Sequence, residues 1–141
     1  MPKTYQSTTV DAPIDEVWAR LRNFHDMAWA PAVVERCEAV GEEAGDEVGA
    51  RRILNGVFHE TLRELDDAEH VVKYSIDAGP PPVSPDQVKD YIGVIRVRPV
   101  TDTGSTFVEW SSSWDAPDAG AEEFCHNIYV ALLNELKKAF G

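Results

Sequence analysis

Residues Ala121 to Phe140, AEEFCHNIYVALLNELKKAF, decide how this chain folds. Apolar side chains recur three or four apart, at Ala121, Phe124, Ile128, Leu132, Leu136 and Phe140. Cys125, Tyr129 and Leu133 widen the stripe. Asp115, Pro117 and Asp118 precede it, Glu122 and Glu123 fall in its first turn, and Lys137 and Lys138 in its last. That distribution complements the helix dipole, so the segment is predicted to be one long amphipathic helix. Almost everything before it reads as strand. One helix must therefore close over one sheet, and the space between them is either packed or hollow.

Bulk properties narrow the function. The chain has 141 residues, 43% hydrophobic and 27% charged, the size and composition of a single domain spanning 1–141 with a real core. No apolar run approaches the roughly 18 residues of a membrane span. The opening MPKTYQSTTV lacks the apolar block of a secretion signal, which favours a cytoplasmic protein. Cys37 and Cys125 fit reduced thiols better than a disulfide framework. A net charge of −12 argues against a nucleic-acid partner and for ligands that are neutral or internally paired. His25, His59, His70 and His126 lack metal-ligand spacing, and there is no Gly-rich phosphate loop or nucleophile elbow. Neither a metal nor a cofactor is expected.

Taken in order, Lys3 to Val10 is an opening strand, stopped by Asp11-Ala12-Pro13. Asp11 is placed to cap the short helix carrying Ile14, Val17, Trp18 and Leu21, and Phe24 to Ala30 reads as a second short helical piece. Trp18 and Trp29 are expected to pack these helices on the sheet. From Val33 the period changes to two. Strands are predicted at Val33–Val40, Val48–Leu54, Val57–Leu65, His70–Asp77, Val88–Val100 and Ser105–Trp114. Asn55-Gly56 marks a tight hairpin, and GPPPVSP, residues 79–85, a stiff loop outside any ladder.

This order of elements resembles the helix-grip fold of the START and birch-pollen-allergen superfamily. Within it, the chain is most similar to bacterial polyketide cyclase/dehydrase and lipid-transport-type (SRPBCC) proteins. The resemblance lies in VDAPIDEVWARLRNFHDMAWAP, GARRILNGVFHETLRELDD and VEWSSSWD. It implies an α+β fold, a seven-stranded curved antiparallel sheet wrapped around the long C-terminal helix, with two short helices between strands 1 and 2. It also implies an elongated apolar cavity beneath the helix. HETLRELDD, DYIGV and VEWSSSWD resemble plant abscisic-acid receptors as well. There, however, a lysine meets the ligand carboxylate, and Glu35 stands at the apparent match here; the gate is reduced to Asn55-Gly56 and the latch replaced by GPPPVSP. A hormone-receptor function is not expected.

A two-residue turn at Asn55-Gly56 pairs Leu54 with Val57, Ile53 with Phe58 and Arg51 with Glu60. Alternation then puts Arg51, Ile53, Phe58, Glu60 and Leu62 on one face. Phe58 and Leu62 mark that face as inner, and the resemblance agrees, because Glu60 matches a pocket-facing glutamate. The same reading turns Val72, Tyr74 and Ile76 inward, then Tyr91, Gly93, Ile95 and Val97. On the last strand it turns Phe107, Glu109 and Ser111 inward, opposite Phe124, Ile128 and Leu132 of the helix. Arg51, Glu60, Tyr74, Tyr91, Glu109 and Glu35 are then polar points in an apolar lining, the mixture typical of a ligand pocket. Arg51 and Glu60 read either as a neutralising ion pair or as a ligand anchor. Trp110 and Trp114 fall outside with Val108, Ile92 and Val94, which points either to a homodimer contact across the sheet's outer face or to the opposite facing of that strand.

Three functions follow. The first is binding of a small hydrophobic molecule, a lipid, polyketide or aromatic metabolite. The second is a polyketide aromatase/cyclase in which Arg51, Glu60, Tyr91 or Glu109 moves protons. The third is a protein-interaction module with a packed interior.

Overall fold

Pro13 ends the first strand because it cannot donate to a ladder, and its fixed φ of −63° opens the first helix. No side chain caps that helix, so Asp11 does not play the expected part. The computed structural model describes residues 3–115 and 120–141. The strands are β1 (Lys3–Val10), β2 (Cys37–Val40), β3 (Arg51–Leu54), β4 (Phe58–Asp66), β5 (Val71–Ala78), β6 (Lys89–Pro99) and β7 (Thr106–Asp115). The helices are α1 (Ile14–Leu21), between β1 and β2, and α2 (Gly120–Phe140) at the end. Phe24–Ala30, expected to be helical, is a run of turns closed by Asp26 N to Asn23 O and Ala30 N to Met27 O bonds. Pro117 and Asp118, expected to start α2, lie outside the described residues.

The seven strands form one antiparallel sheet in the order β1-β7-β6-β5-β4-β3-β2. Register shifts between β4 and β5 and at the start of β6 break the ladder, the kind of irregularity that bends a sheet. Its concave face meets α2. Val10, Val72, Val97, Val108, Trp110, Trp114 and Leu136 are almost wholly buried in the core. Both tryptophans expected on the outer face are therefore inside.

Trp18 ties α1 to the β4–β5 turn. Its Nε1 donates to Asp67 Oδ1 at 2.8 Å, and Arg22 donates to both Asp67 oxygens at 2.9 and 3.0 Å. Arg22, then Trp18, hold the Asp67 carboxyl at about 2, below its ordinary 3.8. A depressed carboxylate stabilises the fold above its ordinary value and loses that contribution as pH falls through about 2. Asp67→Asn is expected to lower stability at neutral pH, in dilute salt especially, and to flatten acid unfolding in that window. Acid-unfolding curves that overlay for the two proteins would refute this role.

Candidate functional site

The hairpin joining β3 to β4 sets the inner face of half the site. Asn55 and Gly56 adopt left-handed φ values of 53° and 72°, and Val57 N donates to Leu54 O, as an Asn-Gly turn should. Val57, however, is left out of the ladder, so Leu54 pairs with Phe58, Ile53 with His59 and Arg52 with Glu60. One added residue moves β3 by one place and turns its other face inward. Arg51 is consequently exposed and Ile53 faces away, while Arg52 and Leu54 are buried. The Asn55 amide explains the loop. It donates to Val33 O and accepts from Glu35 N and Arg36 N, tying the turn to the segment before β2. Glu35 itself is exposed and takes no part in the lining.

Strand β7 also presents the face opposite to that expected. Ile95 pairs with Trp110, Gly93 with Ser112 and Val97 with Val108, so the even-numbered residues follow the inner face of β6. Phe107 and Glu109 lie on the outer face, where Glu109 pairs with Arg96 and accepts the Tyr5 phenol at 2.5 Å. Side-chain size decides this. The strand is apolar on both faces at Phe107 and Val108, but two indoles offer far more apolar area for burial than a carboxylate and two serines. With Trp110 and Trp114 inside, the case for an outer-face dimer loses its motive. A Glu60–Glu109 pair in one pocket is excluded by the same geometry.

Between α2 and the sheet lies a cavity of about 260 Å³. Helix α2 lines it with Phe124, Cys125, Ile128, Tyr129 and Leu132. Strands contribute Arg52, Leu54, Phe58, Glu60, Tyr74, Ile76, Tyr91 and Trp110, and the β3–β4 turn contributes Asn55. Met27, Val33 and Val34, then Pro80 and Val83 of the proline-rich loop, complete the wall. Glu135 on α2 accepts Ala32 N at 2.7 Å and so fixes the segment carrying Val33 and Val34 over the cavity. Of the residues expected to line it, Phe58, Glu60, Tyr74, Tyr91, Phe124, Ile128 and Leu132 do so. Leu62 and Ile95 point inward but are absorbed into the packed core. Arg51, Phe107 and Glu109 are outside it.

Two polar clusters interrupt the apolar wall. In the first, Arg52 and Glu60 are 5% and 6% exposed, so both charges are buried. Arg52 Nε and Nη2 approach Glu60 Oε1 at 2.8 and 2.6 Å, and Nη1 donates to Phe24 O at 2.9 Å. The guanidinium also lies 3.8 Å above the Phe24 ring. Burial pushes the Glu60 carboxyl up, and Arg52 works against that rise.

The second cluster is a row of hydroxyls. Trp110 Nε1 donates to Tyr74 Oη at 2.9 Å, Tyr74 Oη lies 2.8 Å from Tyr129 Oη, and Tyr129 bonds Tyr91. Nearby on β7, the Ser112 hydroxyl meets that of Thr4 at 2.7 Å. Burial drives all three phenols well above their ordinary 10.0, so each keeps its proton at neutral pH. Tyr129 and Trp110 were not among the expected lining residues. Tyr129 could have been found one turn beyond Cys125 on the apolar stripe of α2, and Trp110 by its size.

The chain matches, over residues 1–141, the family described as polyketide cyclase / dehydrase and lipid transport. It is similar to a protein from Nitrosospira multiformis at 45% identity and a TM-score of 0.97, covering 99% of this chain and 97% of that one. It is also similar to protein XoxI from Bacillus cereus, at 26% identity and a TM-score of 0.81, covering 99% and 96% of the two chains. A Thermobifida fusca protein shares the fold at 23% identity, with a TM-score of 0.82 over 100% of this chain and 94% of that one. No curated protein matches the sequence. A whole-length match, joined to a sheet gripping its C-terminal helix, leaves one assignment: the chain belongs to the polyketide cyclase/dehydrase and lipid transport family.

Proposed function

We propose that this protein binds a small, largely apolar molecule in the cavity between α2 and the sheet. The cavity itself carries the reading: about 260 Å³ of space walled by aliphatic and aromatic side chains, near the lower end of the volumes typical of ligand pockets. Its few polar groups are mostly satisfied by one another, so they restrict orientation without demanding a charged partner. Family membership supports the same reading, since both halves of the family description concern lipophilic molecules. A packed-interior interaction module fits this cavity poorly.

A polyketide cyclase-type activity in the same space is the second reading. Glu60 favours it, because burial raises a carboxyl that lies beside the cavity and can there hold a proton. The tyrosines do not add a base, since their phenols stay protonated.

Native mass spectrometry of the purified protein tests for a co-purifying ligand. The neutral fluorophore N-phenyl-1-naphthylamine gives a second measure. Its emission is expected to rise on mixing with the protein and to stay at the free-dye level with Ile128→Trp, whose indole fills the cavity. That variant should melt within a few degrees of the parent, because it occupies space already empty. An Ile128→Trp protein that binds the dye as well as the parent would overturn the reading.

A further inference from the structure

The polar atoms around the cavity are unevenly spent. Trp110 is a donor only, so Tyr74 Oη accepts its bond, and its oxygen can either accept again from Tyr129 or donate to it. The two phenol–phenol contacts, Tyr74 with Tyr129 and Tyr129 with Tyr91, take up two of the three phenol hydrogens. A single phenol hydrogen is left over among the three. Arg52 spends Nε and Nη2 on Glu60 and Nη1 on Phe24 O and Met27 Sδ, which leaves a single Nη2 hydrogen. Asn55 donates to Val33 O and faces the ligand only from the turn. Trp114 Nε1 finds no acceptor among the described residues, but it is sealed from the cavity.

The acceptors are in the opposite condition. Both Arg52 contacts fall on Glu60 Oε1, and among the described residues nothing donates to Oε2. Yet Oε2 is not closed off in the interior, and Glu60 lines the cavity. The phenol oxygens likewise retain acceptor capacity. Arg52 is the one cation among the described lining residues, and Glu60 already matches its charge.

We infer that the cavity selects uncharged apolar molecules carrying a hydroxyl or N–H group, which donates to Glu60 Oε2, and that it rejects carboxylates. This rests on the binding reading above and names its ligand class. A ligand hydroxyl completes the half-used carboxylate through a charge-assisted bond. A ligand carboxylate meets an uncompensated oxygen of its own sign and no free cation, in a medium where that repulsion is strong. A ligand that only accepts leaves Oε2 unsatisfied.

Isothermal titration with four bicyclic probes tests the inference: naphthalene, 2-naphthol, 2-methoxynaphthalene and 2-naphthoate. The expected order places 2-naphthol at least about tenfold tighter than 2-methoxynaphthalene, with naphthoate showing no heat of binding. Glu60→Gln should shrink the naphthol advantage and admit naphthoate, because Arg52 then lacks its counter-ion. If that variant fails to fold, the parent series alone decides. Naphthalene and methoxynaphthalene binding as tightly as naphthol, or naphthoate binding at all, would overturn the inference and leave the cavity a general apolar binder. Failure of all four probes would overturn the binding reading as well.

Discussion

Arg52→Ala should destabilise the fold by about 3–5 kcal/mol in denaturant titrations, the cost of stranding one member of a buried pair. The guanidinium does three things at once in this structure. It neutralises Glu60, satisfies the Phe24 carbonyl and covers the Phe24 ring. Its removal leaves a carboxylate 6% exposed beside an apolar wall. Glu60 then takes up a proton more readily than in the parent, since desolvation already raises it with Arg52 in place. A carboxyl whose folded value is raised opposes folding once ionised, so the loss should be largest at alkaline pH and shrink towards acid. Replacing both partners, Arg52→Met with Glu60→Leu, should restore much of the stability. A single variant as stable as the parent at pH 8 would show that the pair contributes nothing to folding.

Gly93→Ala should be nearly as damaging, at about 3 kcal/mol or more. Gly93 faces Tyr74 across the β5–β6 ladder, and the ring lies over it. A methyl on Gly93 would sit 2.2 Å from Tyr74 Cζ and 2.5 Å from its oxygen. The ring cannot yield without dragging its hydroxyl away from Trp110 and Tyr129. The methyl therefore overpacks the core and breaks the hydroxyl row together. Tyr74→Val in the same protein should relieve the clash, so the double variant should be more stable than the two single losses predict by addition. Strict additivity would show that the two residues do not interfere.

These two sites also mark what was legible in the sequence. The long helix, the Asn-Gly turn and the inward faces of β4, β5 and β6 could be read because period and turn chemistry specify them locally. Gly93 fell on the correct face, but the ring that needs its missing side chain comes from another strand. The partner of Glu60 was misread because register depends on a single residue, and Asn55 fixes that register by bonding a segment some twenty positions earlier. On β7 alternation offered two half-apolar faces, and only the volume of two indoles decided between them. The hydroxyl row was not accessible in sequence at all, since it appears only when Trp110, Tyr74, Tyr129 and Tyr91 converge from four elements.

The unpaired Val57 has a consequence beyond this chain. Turns on protein surfaces gain and lose residues more freely than strands do, because little packing depends on them. Here a residue 44% exposed sets which of two adjacent arginines enters the interior. Deleting it would carry Arg51 and Ile53 to the inner face in place of Arg52 and Leu54, with no substitution in the strand itself. Divergence among homologues of this fold thus has an inexpensive route to a new pocket, through the length of one exterior turn.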